Sequence, residues 1–138
     1  MSNIASPLLK DFARRLLIHE AALGSHAQAR GMAAFRVCEK LRQSLAKLMG
    51  IAGFRALLTR GLVLATAERP ALAGLKIKPD GSLEGLAELE TTLSVREIAD
   101  CETVLVAHVL GLLVTFIGPT LTQEWLQASW PTMDEWTF

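Results

Sequence analysis

One stretch, VLVAHVLGLLVTFIGP from Val104 to Pro119, limits what this chain can fold into more than any other. Ahead of it, Ser94 and Glu97 have the spacing of a helix capping box, and Leu93 is placed to staple onto Ile98. Behind it, Gly118-Pro119 is a helix stop. A helix so apolar has to be covered on most of its circumference. A membrane span needs about 20 apolar residues. Val104–Ile117 is 14 residues, about 21 Å of helix. The uncharged window does run from Thr103 to Gln123, but Pro119, Thr120, Thr122 and Gln123 spoil its end. Glu97, Asp100 and Glu102 crowd its start. These features predict a central core helix over about 94–117 and no membrane span.

Small residues recur along this helix at Ala107, Gly111, Thr115 and Gly118, and Gly61 and Ala65 form a similar notch upstream. Small side chains let backbones approach closely, which accounts for glycines inside helices where they are otherwise costly. The expectation is that the two helices cross at short range.

Around that centre the pattern is helical. Ser6-Pro7 is a helix start, a capping hydroxyl followed by proline where its missing N–H costs nothing. Leu9, Phe12, Leu16, His19 and Leu23 follow as one stripe, ended by Gly24-Ser25. A second helix spans about 27–48 with Ala34, Phe35, Cys38, Leu41, Leu45 and Leu48 on its apolar side. A third runs from about 51 to 68 and stops before Pro70. Leu75 and Ile77 alternate with Lys76 and Lys78, and Pro79-Asp80-Gly81 is a turn, so a short β-hairpin is expected near 75–84. A short acidic helix precedes Leu93, and a last one follows Pro119 to about Ser129. The expected fold is mainly α: an irregular bundle of about five or six helices. It forms one domain over 1–129, with an aromatic, acidic C-terminal tail at 130–138.

The formal net charge is zero, but the charges divide along the chain. Residues 1–78 hold 13 bases and four acids, while residues 79–138 hold one base and ten acids. Either the halves cancel on packing, or the molecule has a basic and an acidic side suited to a partner or a copy. Arg36, Lys40, Lys47 and Arg55 are the candidate basic face for phosphate or an acidic partner. A sequence pI near 6.8 argues against a dedicated nucleic-acid module.

Chemistry has little sequence support. Glycine-rich phosphate loops, nucleophile elbows and metal-ligand spacings are missing. His108 and Cys101 are two helical turns apart, too far for one ion, and His19 and His26 lack zinc-motif spacing. No metal or cofactor is expected, and His108 is left as a core histidine or the marker of a pocket. Cys38 and Cys101 are unpaired in pattern, as in a reducing, cytoplasmic setting. All three tryptophans, Trp125, Trp130 and Trp136, lie in the last 14 positions with Met133 and Phe138. Such anchors suit a partner interface, unless they fold back on their own bundle. The expected function is a non-enzymatic, soluble protein–protein interaction module, an adaptor or subunit that self-associates or binds a larger protein. The alternatives are a nucleic-acid-associated subunit using the basic helices and a small-molecule sensor or enzyme with a pocket near His108.

Overall fold

The computed structural model of the chain describes residues 6–23 and 32–133. The order is α1 (Pro7–Leu23), α2 (Met32–Glu68), a 3-10 turn (Pro70–Gly74), β1 (Lys76–Ile77), β2 (Leu83–Glu84), α3 (Leu86–Thr92) and α4 (Val95–Ser129). The fold is mainly helical, with four helices and a two-stranded sheet. Among the described residues the helix count is therefore four, not five or six. What the sequence presents as separate helices are the arms of two long ones, bent at Gly50 and Gly118 with no connecting loop.

The two bends are alike. Gly50 has φ 78° and ψ 164°, and Gly118 has φ 84° and ψ 162°. This region of backbone space belongs to glycine, because a Cβ would strain it. A Cβ at either position would meet nothing within 4 Å, so conformation rather than space requires glycine there. Pro119 then opens the second arm of α4 at the position where its absent N–H costs nothing. Thr122, fully buried, donates its hydroxyl to the Gly118 carbonyl at 2.7 Å.

The starts of the helices follow sequence chemistry. Ser6 accepts from the Leu9 N–H at 3.1 Å. At α4 the reciprocal box is complete: Glu97 N–H to the Ser94 hydroxyl at 3.2 Å, and Ser94 N–H to Glu97 Oε1 at 2.9 Å. The hairpin pairs Lys76 with Glu84 and Ile77 with Leu83 in antiparallel register. Its turn is held by Asp80, which accepts from both the N–H and the hydroxyl of Ser82. These two bonds hold the Asp80 carboxyl below its ordinary pKa.

The first arm of α4 forms the centre. Every residue from Cys101 to Leu110 is buried, nearly three turns covered on all sides by α1 and both arms of α2. Gly61 of α2 faces this helix at short range, where an added Cβ would lie 2.8 Å from Val109 Cγ2 and 3.4 Å from Val109 Cα. The close crossing holds, but Gly111 is not its other half. Gly111 faces α1, where an added Cβ would lie 3.3 Å from Leu9. Past Leu113 the helix leaves the core: Phe116 is 70% exposed and Thr115 is open to solvent. The most apolar run of the chain is thus core in its first half and surface in its second.

Both α2, from Ala33, and α4 are long and apolar enough to cross a membrane by length and composition alone. Core helices of a bundle meet the same description.

Candidate functional site: an apolar groove and three buried carboxylates

Three glutamates lie inside the bundle, each solved differently. Glu20, 2% exposed, projects from α1 where the stripe predicted His19. It accepts from Arg36 Nε at 3.0 Å, pairs with Lys40 Nζ at 2.8 Å, and accepts from the Trp130 indole N–H at 2.8 Å. Burial alone would raise its pKa. The bonds from Lys40, Trp130 and Arg36 outweigh that and hold it below the ordinary value. His19, one position earlier, sits at the edge with its Nε2 3.0 Å from the Thr132 hydroxyl.

Glu68, at the end of α2, has a side chain 6% exposed. It meets Lys10 of α1 through one oxygen and His108 Nε2 through the other, at 3.0 Å. Three helices are tied at one carboxylate. His108 therefore has a buried partner and packs inside the bundle, 7% exposed.

Glu102 reaches from α4 to the start of α2, where Oε2 accepts the Ala34 N–H at 3.2 Å. The first N–H groups of a helix have no partner within it, so a side chain from a different helix fills the capping role here. Burial pushes the Glu102 carboxyl up to about 7, against the lowering effect of that bond. It lies at the wall of a cleft of about 230 Å³ between α1 and α4, with Arg14, Ile18 and Val95 around it.

A larger groove of about 680 Å³ opens at the bent end of the bundle. One wall is α2 on both sides of Gly50, the other is α4 on both sides of Gly118. Leu48, Phe116 and Leu121 stand at it with 49%, 70% and 38% of their surface exposed. Among the described residues, Arg60 is the one charged residue lining it. The bends make the groove: each turns a helix aside and leaves its apolar stripe without a neighbour.

The sequence-predicted residues are dispersed by the fold. Trp130 is 1% and Met133 6% exposed, both in the core of their own chain, and Lys40 lies over the Trp130 ring at 5.3 Å. Trp125 packs half-buried against that core. Trp136 and Phe138 lie outside the described residues, as do Gly24, Ser25 and His26. On the basic face, Arg36 and Lys40 are committed to Glu20, and Arg55 donates to the Lys78 carbonyl at 3.1 Å. Lys47 is exposed beside Leu48. Both thiols are free; burial pushes Cys38 up to about 12 and also raises Cys101, so neither is a ready nucleophile at neutral pH. Among the described residues, no three histidine, cysteine or acidic side chains gather as a metal ligand set.

Sequence reasoning missed the three glutamates and the groove. A signal existed for Glu20, which follows Leu16 by four and Leu17 by three on the buried face. Glu68 likewise follows Ala65 by three. For the groove, the signal was excess: Leu48, Phe116 and Leu121 extend the apolar stripes past the point where another helix covers them.

Comparison of the chain with protein-family models, curated proteins and solved structures finds no match. The class it defines by its own geometry is a small bundle of two bent helices around one buried arm, with an open apolar groove at the bends.

Proposed function

We propose that the protein is a non-enzymatic interaction module and that the groove between the bends of α2 and α4 is its contact surface. The observation that carries this reading is the exposure of Phe116 within the most apolar run of the chain, next to Leu48 and Leu121. Large apolar side chains gathered at a concave surface lose free energy when another molecule covers them, and such patches mark contact sites. Two of the buried acids support the same reading, since the carboxylates of Glu20 and Glu68 are engaged by neighbours within the chain.

The test uses the intact protein and its Phe116→Asp variant, each purified from its own cell under the same conditions. Phe116 is mostly outside the core, so the variant should keep the helical circular dichroism of the parent. The intact chain is expected in an assembly heavier than its own 15.0 kDa, and the variant at monomer mass. Equal masses for the two would overturn the reading.

A further inference from the structure

The groove has a charge as well as a shape. Residues 48–60, which supply one wall, contain Arg55 and Arg60 and no acid. Residues 103–123, which supply the other, contain no charge at all. Arg60 lines the groove and has no ion pair among the described residues. The nearest acid along α4 is Glu124, one turn past Leu121. The surface therefore fits a short segment with large apolar anchors and negative charge.

This chain carries such a segment. Asp134-Glu135-Trp136-Thr137-Phe138 sets two acids directly before two aromatic anchors spaced by two, the spacing that puts both on one side of an extended strand. It departs from Met133, which is buried, just after Thr132 bonds His19 of α1. Trp130 lies nine residues from Leu121, about 13.5 Å along the second arm of α4. To enter its own groove the segment would have to double back along that arm. A second molecule offers the groove without that reversal, and reciprocal exchange between two molecules closes a twofold dimer.

Resting on the groove reading above, we propose that residues 134–138 of one copy dock in the groove between Gly50 and Gly118 of a second copy. Trp136 and Phe138 cover Leu48, Phe116 and Leu121, and Asp134 and Glu135 face Arg60.

The test is made on the full chain by light scattering over a dilution series. It is paired with binding of a labelled peptide of residues 131–138 to a chain carrying Trp136→Ala and Phe138→Ala. The full chain is expected as a dimer and the doubly substituted chain as a monomer that binds the peptide. Phe116→Asp should weaken peptide binding by more than about tenfold, the loss typical of a central anchor. Arg60→Glu should weaken it by about three- to tenfold, and a peptide carrying Glu135→Lys should recover most of that loss. Circular dichroism of each variant checks folding. A doubly substituted chain that stays dimeric overturns the proposal, and so does a peptide indifferent to Phe116→Asp. A monomeric full chain overturns it too, whether the segment covers its own groove or the groove sediments with vesicles of anionic lipid. If Phe116→Asp dissolves an assembly that Trp136→Ala and Phe138→Ala leave intact, the groove stands as a contact surface and only its occupant is wrong.

Discussion

At the scale of single residues, the interior of this bundle is set by how each buried acid is compensated. Glu20 gains three donors and stays ionised below its usual range, whereas Glu102 gains one and is pushed up to about 7. The consequences for stability have opposite sign. For Glu20 the folded state holds its proton more weakly than the unfolded chain, so its contribution is present above about pH 4.5 and is lost as pH falls through the lower folded value. For Glu102 the folded state holds the proton more tightly. Its contribution is full below 4.5, falls as pH rises from there to about 7, and is then gone. Glu102→Gln removes the titration and keeps an acceptor for the Ala34 N–H. Chemical denaturation of the two proteins should give similar stabilities near pH 4.5 and a gap favouring the variant at pH 8. A shift of this size corresponds to a gap on the order of 3 kcal/mol. A parent and variant that run parallel from pH 4.5 to 8 would show that Glu102 is ionised at little cost. No sequence pattern announces this residue. Glu102 follows Asp100 and precedes an apolar run, like any helix-flanking acid, and only the arrival of a second helix start beside it makes it a cap.

At the scale of elements, the helices, the hairpin and the capping box were legible because each rests on contacts within a few residues. Ser94 and Glu97, or Asp80 and Ser82, carry their own partners. What could not be read was whether a glycine ends a helix or bends it, because that depends on where the next arm finds packing. Nor could it be read which small residue faces which neighbour. Gly61 and Gly111 looked like one crossing, yet Gly61 meets Val109 and Gly111 meets Leu9. Gly61→Ala tests this geometry. Alanine gains roughly 1 kcal/mol over glycine from helix propensity. Its Cβ, however, would sit 2.8 Å from a methyl of Val109, which is itself 1% exposed. Overpacking costs typically about 1–3 kcal/mol. The single substitution should therefore lower stability or leave it unchanged. In a Val109→Ala background, where the opposing methyl is gone, the same substitution should stabilise. Thermal or urea unfolding of the four proteins gives the coupling, and additivity would mean that the helices are farther apart at this point than the structure places them.

At the scale of the whole molecule, the acids of the basic half are paired within that half. Its four acids find bases in their own half: Asp11 with Arg15, Glu20 with Arg36 and Lys40, Glu39 with Arg42, and Glu68 with Lys10. Arg69 with Asp100 is an ion pair between the halves. The remaining positive charge thus stays on the first half of the chain, and Arg60 brings part of it to the apolar groove. How such a contact responds to salt separates the two forces in it. Exposed ion pairs are worth about 0–1 kcal/mol each and are screened, while apolar burial is not. If the groove takes two aromatic anchors and one or two charge pairs, raising salt from about 50 to 500 mM should weaken self-association by no more than roughly tenfold. Nucleic-acid binding through the same basic residues would instead fall by several orders of magnitude, since each neutralised phosphate releases counterions. Dilution calorimetry or light scattering at a series of salt concentrations measures the slope. A shallow slope, together with loss of association on Phe116→Asp, assigns the contact to the apolar anchors. A steep one would move the functional surface from the groove to the basic side chains.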